Sequence, residues 1–365
     1  MRFVIDTNSP ERQTQGSNSD GMKRMFTCMA LLCLVANGFS QQDPQFTNFN
    51  FNRTFFTPAH TGVKRALCFT ALARNQWSGF DGAPKTATLT GEYWMENISS
   101  GIGGSVMIDE LGFEKNMSYR LNYAFHLTDI AKGNLSFGID AGFTSKILGP
   151  TGSQSWVSSS SWQNDPSIPP QIKKTSPDFG AGIWYQHSKF WAGASASHIG
   201  TPTMNQGNTV IISVPPIVHS RIYQVARHYW LTAGVNVQKR NWLIQPSFLV
   251  KSDATITSFD VNCIATYNNA FWFGASYRFQ DAVCPQLGFT WKSGGDKTKP
   301  GNEEISARDP RFRKKEVATW KIGFAYDYST SKLNDYNNGT FEVFLNYCLP
   351  VTPWIQRQGC SRLFQ

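Results

Sequence analysis

Residues 117–144 read MSYRLNYAFHLTDIAKGNLSFGIDAGFT, and within that stretch apolar side chains fall at every second position. Tyr119, Leu121, Tyr123, Phe125 and Leu127 are set against Ser118, Arg120, Asn122, Ala124 and His126. Leu135, Phe137, Ile139, Ala141 and Phe143 then alternate with Asn134, Ser136, Gly138, Asp140, Gly142 and Thr144. A period of two belongs to a strand with two unlike faces. Arg120 and Asp140 share the polar face, which fits a water-filled or polar lumen better than a packed soluble core.

Working outward from this hairpin, the same alternation recurs in fourteen segments: 66–74, 86–93, 101–109, 117–127, 133–144, 177–186, 190–198, 229–238, 242–251, 258–267, 271–279, 282–291, 317–328 and 341–349. An even number of segments, each near the roughly nine to eleven residues that cross a bilayer when tilted, suits a single-chain bacterial barrel. The expected fold is all-β, a transmembrane antiparallel β-barrel of about 14 strands, located in the outer membrane and bounded by its lipids. The composition agrees, with 41% hydrophobic, 14% aromatic and only 16% charged residues. No run of about eighteen apolar residues lies beyond the N-terminal region, so helical spans are not expected. Trp230, Trp242, Trp291, Trp320 and Tyr347 sit at segment ends and are expected to form interfacial girdles.

With both ends of the exported chain in the periplasm, the three-residue turns at 187–189, 239–241 and 268–270 fall on the periplasmic side. The longest loops, 145–176 and 199–228, then fall outside, as such barrels require. Segment 292–316 breaks this pattern. It is long, it lands in the periplasm, and it carries the basic run Arg308, Arg311, Arg313, Lys314 and Lys315. It is the candidate docking element for a partner. The formal charge of the whole chain is +9 and this run is its one dense basic stretch, but an exported barrel meets no nucleic acid, so none is expected as a partner.

Ahead of the barrel, residues 1–21 are polar and aperiodic and read as an upstream extension. Met22 is followed by Lys23 and Arg24, an apolar core at 25–36, and Gly38 and Ser40. That order predicts a signal peptide at 22–40 with cleavage after Ser40. Residues 41–65 form an N-terminal arm, 66–349 the barrel and 350–365 a C-terminal tail. In the arm, Pro44 and Pro58 lack N–H donors while Asn48, Asn50 and Asn52 alternate with Phe49 and Phe51. It is expected to lie extended against the barrel or within its lumen. After the first strand, Gly79, Gly82 and Pro84 set a bend, while Arg74, Asn75 and Gln76 need polar partners. A packed loop that narrows the pore is expected there.

Chemistry is absent from this pattern. No H-E-x-x-H, G-x-S-x-G, P-loop or dinucleotide fingerprint occurs. The histidines scatter; His219 and His228 share a loop, as unrelated residues. Asp109 and Glu110 would point to opposite faces and make a poor acid and base pair. No catalytic site, cofactor or metal is expected. Cys68, Cys263, Cys284, Cys348 and Cys360 remain after processing, an odd number without a C-x-x-C pair. A zinc site or dense disulfide framework is therefore not expected, and the four in strand patterns read as small apolar filler.

Residues 41–62, QQDPQFTNFNFNRTFFTPAHTG, resemble the opening of the PorP/SprF family of type IX secretion and gliding-motility membrane proteins. The positions that carry the likeness include Asp43, Pro44, Pro58 and Gly62. It continues through Arg74, Asn75, Gln76, Trp77, Gly79, Phe80, Gly82 and Pro84, then Gly101, Gly103 and residues 109–112. Residues 326–333 with Glu342 resemble the family's Y-D-x-x-x-S-K-L ending, and 359–364 its short basic tail. The resemblance implies a non-enzymatic outer-membrane component that helps type IX cargo or adhesins across or onto the outer membrane. It also implies a periplasmic OmpA-like, peptidoglycan-bound lipoprotein as partner. A rival reading is a FadL-like channel for hydrophobic small molecules, which needs an apolar lumen; the inner-face residues Asp140, Asp260, Asn262 and Arg278 argue against it. A third reading, a structural adhesin, would make the outer loops the functional part.

Overall fold

The computed structural model describes residues 43–149, 172–206, 221–293, 318–331 and 335–350. The strands are β1 Ala66–Asn75, β2 Lys85–Met95, β3 Ser100–Leu111, β4 Glu114–Ile130, β5 Gly133–Leu148, β6 Ile172–Gln186 and β7 Phe190–Ser197. They continue as β8 His228–Val235, extended past Asn236 by Val237–Lys239, then β9 Trp242–Ser252, β10 Thr257–Tyr267, β11 Phe271–Arg278, β12 Ala282–Ser293, β13 Ala318–Ser329 and β14 Thr340–Pro350. Each pairs antiparallel with the next, and β1 pairs with β14 from Ala66 opposite Pro350 to Asn75 opposite Phe341. The ring is closed and has no edge, the condition under which strands satisfy their backbone inside lipid.

The alternation becomes two walls. Leu121 (76% exposed) and Ile139 (62%) face outward, while Arg120, Asn122 and Asp140 are buried inside. Tight turns hold the register at one end. Ala131 and Lys132 both have positive φ and close the β4–β5 hairpin, and Asn268 and Asn269 do the same between β10 and β11. Two such residues match the right-handed twist of the strands they join. At this short-turn end Trp291, Trp320 and Tyr347 lie side by side on β12, β13 and β14, with Trp291 stacked on Trp320 at 5.9 Å. They form the expected girdle, with Trp242 packed on Tyr267 further round.

The sequence reading holds for the barrel and its fourteen strands, and fails at several places. Trp230 is not a girdle residue: it is 3% exposed and packs inside against Phe56. The 145–176 loop is shorter than its composition suggests, because β5 runs on to Leu148 and β6 begins at Ile172. The 199–228 loop contains a small ribbon in which Thr203–Gln206 pairs with Arg221–Gln224. Cys68 and Cys348 are not filler. They stand opposite one another on β1 and β14 and form a disulfide across the seam that closes the ring. Cys263 and Cys284 are free.

The arm gives the largest correction. The strand ends Ala66 and Pro350 share the short-turn end, as expected, but Asp43 does not. It lies at the opposite, long-loop end, against the residues that flank the 198–227 connection.

Candidate functional site

Three short helical turns, Phe49–Phe51, Arg53–Phe56 and Pro58–His60, compact the arm, which runs through the lumen from one end toward the other. Its outer half is held by polar groups. The Glu342 carboxylate accepts the backbone N–H groups of Thr47 (2.9 Å) and Asn48 (2.7 Å) and the Asn48 side-chain amide (2.8 Å). Arg74 bridges Glu342 at 3.0 Å and Asp327 at 2.7 Å. Arg278 bridges Asp327 at 3.3 Å and Asp260 at 3.2 Å. Asp327 also accepts the Thr47 hydroxyl at 2.7 Å, and Asp260 the Gln45 amide at 2.6 Å. Buried carboxylates and guanidinium groups are tolerated because each has an opposite charge and hydrogen bonds, and the arm supplies several of the donors.

The inner half is held by rings and by bare wall. Phe51 stacks on Phe344 at 4.5 Å and meets Trp272 at 4.6 Å. Phe46, Phe55, Phe56 and Trp230 continue the same core. The Arg53 guanidinium lies 3.8 Å from the Trp191 ring, a cation held by a π face in place of a carboxylate. Where the arm backbone passes closest to the barrel, the wall has no side chain. A Cβ on Gly138 would lie 2.2 Å from the Ala59 nitrogen, and one on Gly101 2.1 Å from the Thr61 oxygen. Ser136 and His126 then bond the arm carbonyls of Ala59 (2.7 Å) and Thr61 (2.8 Å).

At the long-loop mouth the arm ends in a clasp. The Asp43 N–H donates to His228 Nε2 (3.0 Å), its carbonyl accepts from Lys251 (2.7 Å), and its carboxylate faces His198 Nε2 at 3.1 Å. The other ring nitrogen of His198 is 2.7 Å from Asp178. Burial pushes the His198 ring down, but Asp43 and Asp178 overcome this and raise it to about 9. Burial likewise pushes Asp43 up, but the carboxyl is held well below its usual range, with the charge and hydrogen bond of His198 and the charge of Arg120 acting against burial. His198 is thus an imidazolium between two carboxylates. Asp43, His198 and His228 each offer a ligand atom within 4.8 Å of the others. Their hydrogen bonds are already spoken for: His228 Nε2 accepts from the Asp43 N–H, so Nδ1 carries the proton and faces the Ala226 carbonyl at 3.0 Å. With Lys251 alongside, the chemistry favours a hydrogen-bonded clasp over a cation site.

Residues singled out in separate parts of the sequence meet here. Arg74 from the first strand, Asp327 and Glu342 from the last two, and Asp43 with its neighbours from the arm all serve one purpose, which is to hold the arm. Pro58 opens the last helical turn, and the Gly62 N–H donates to Glu92 at 3.0 Å. The loop 76–84 is packed against its neighbours. Gln76 bonds Pro84 within it, Trp77 bonds Thr340, and the Ser78 N–H donates to the Gly339 carbonyl while the Ser78 carbonyl accepts from the Asn338 N–H, both in the 330–339 connection. Gly79 and Gly82 have positive φ, and Phe80 is 59% exposed. Asn75 is exposed at the end of β1. Arg308, Arg311, Arg313, Lys314 and Lys315 lie outside the described residues. The sequence reading missed His198, His228, Asp178 and Glu92. A signal existed for the first two: they flank one loop between adjacent strands, and such a loop must bring its ends together.

A family model described as Type IX secretion system membrane protein PorP/SprF matches residues 38–347. No curated protein matches the chain. Solved structures that resemble it include a Pseudomonas aeruginosa FadL homologue, at 9% identity over 82% of this chain and 93% of that one, with a TM-score of 0.45. The Pseudomonas putida toluene transporter TodX is similar at 10% identity over 86% and 96%, TM-score 0.42. The Acinetobacter baumannii outer membrane protein Omp33 follows at 8% over 78% and 98%, TM-score 0.36.

Proposed function

The chain belongs to the PorP/SprF family of type IX secretion system membrane proteins, and from that premise we propose that it is a sealed outer-membrane platform that supports export or surface attachment of specific cargo by docking, not conduction. One observation carries this reading: the arm occupies the lumen from Asp43 to Gly62 and is bonded to the wall along its length. A conduit for folded cargo or a FadL-like path for hydrophobic molecules needs free space where the arm lies. The polar inner wall, with Asp260 at 0% and Arg278 at 4% exposure, also disfavours an apolar solute.

Docking has its own support at the short-turn end. Lys64, Arg65, Lys132, Lys189, Lys239, Arg240 and Lys292 are exposed there and outnumber the exposed acids Glu96 and Asp129. The basic run at 308–315 is attached to the same end. A face of one sign steers and selects a partner of the other. The partner is an acidic surface in the periplasm, and an OmpA-like peptidoglycan-bound lipoprotein is the form the family suggests. Deleting residues 294–316 from the full chain should abolish co-purification of the periplasmic partner while the barrel still inserts. Unchanged co-purification from a correctly inserted deletion variant would sink the docking role of that segment.

A further inference from the structure

We infer that the chain crosses the lumen once before it forms the wall, so that its exported N-terminal end emerges at the cell-surface mouth and not in the periplasm. This goes beyond the docking reading and does not depend on it.

The path follows from contacts at known heights of the barrel. Asp43 touches His198, which follows the last residue of β7, and His228, which opens β8. Lys251, one residue from the end of β9, holds the Asp43 carbonyl. All three belong to the end that carries the 198–227 connection. Thr61 and Gly62 instead touch His126 and Glu92, toward the far ends of β4 and β2, and Gly101 at the start of β3. Between these points the arm meets the wall in sequence order, through Glu342, Ser247, Thr90, Ser195 and Ser136. Asp43 and Ala66 therefore stand at opposite ends of one closed ring.

Loop length says which end is which. The connections at the Ala66 end are 96–99, 131–132, 187–189, 240–241, 268–270 and one long one, 294–317, whereas the Asp43 end carries the long 76–84, 149–171, 198–227 and 330–339 beside the short 112–113, 253–256 and 279–281; long connections are thus one of six at the first end and four of seven at the second. In outer-membrane barrels short turns face the periplasm and long loops face outward. The arm thus runs inward from the surface, and the ring closes around it. The Cys68–Cys348 disulfide joins the first and last strands beside the point where the arm becomes β1.

The test uses the full chain with a short epitope inserted directly before Asp43, and a second version with the epitope in the 268–270 turn. Antibody labelling is compared on intact and permeabilised cells. The expected result is equal labelling of the first epitope in both conditions, and labelling of the second only after permeabilisation. Labelling of the first epitope only after permeabilisation overturns the inference. Should the insertion impair assembly, the path is read from the pair Gln45→Cys and Ser258→Cys in a Cys263→Ala, Cys284→Ala, Cys360→Ala background, since Ser258 donates to Gln45 at 3.0 Å. A cross-linked peptide from cells supports the path, and an uncrosslinked pair in an inserted barrel overturns it.

Discussion

The two halves of the arm sit in the same lumen and are held by different physics. From Asp43 to Asn50 the arm is held mainly by carboxylates, guanidinium groups and an imidazolium, with Phe46 alone joining the rings; from Phe51 to Gly62 stacked rings and wall positions that lack side chains come in, beside hydrogen bonds to Thr90, Glu92, His126, Ser136 and Ser195. The first kind of contact is directional and fixes which arm residue faces which strand, since Glu342 can accept the Thr47 and Asn48 amides in only one register. The second kind excludes water and tolerates small shifts. Together they fix the arm's register at the long-loop end and exclude water toward the short-turn end.

The largest effect is expected at the wall of the inner half. Gly138→Val puts side-chain atoms where the backbone of Pro58 and Ala59 runs, so the inner half of the arm is expected to leave the lumen. Limited trypsin digestion of the purified barrel should then cut at Arg53, which the native protein protects; equal protection in both would show that the wall is not what seats the arm. The outer half should respond to a single charge. Arg74→Ala leaves Glu342 and Asp327 buried and short of a partner, which costs roughly 3–5 kcal/mol and should appear as a lower urea midpoint in detergent micelles. Arg74→Lys should recover only part, because an ammonium lacks the fork that reaches both carboxylates. A smaller effect separates stacking from volume: Phe51→Leu keeps the space filled but loses the ring contacts, at about 0.5–1.5 kcal/mol, in the same unfolding assay.

The smallest effect is confined to the clasp. His198 is raised to about 9 in the folded chain, so its contribution is complete below the unfolded value near 6.5 and is lost as pH rises through about 9. Amide exchange at residues 45–47, corrected for the intrinsic rate, should therefore quicken between pH 7 and pH 10, while residues 55–60 stay unchanged. A uniform change along the arm would mean that the clasp does not act locally.

Much of this molecule was legible in its alternation, because in a barrel every side chain must choose between lipid and lumen, and that choice has a period of two. Fourteen strands follow from it, as does the polarity of the inner wall at Asp140, Asp260 and Arg278. Trp230 was misplaced because an aromatic at a strand end looks alike whether it faces lipid or the arm. Cys68 and Cys348 were misread for a similar reason: each is a small residue within a strand, and only the closure of β1 on β14 makes them neighbours. The arm's path was invisible because it has no period, and its partners lie up to 295 residues away, as with Thr47 and Glu342. What the sequence did contain was part of the list of residues involved. Arg74, Asp327, Glu342 and Asp43 stood out separately, and the fold explains why they occur together.

The central claim is that the arm seals the barrel, and single-channel recording in planar bilayers tests it most directly. The full chain should give no stable conductance steps, and a variant lacking residues 43–60 should give steady, porin-like steps in the same membrane. Stable steps from the intact chain, equal to those of the deletion variant, would contradict the account.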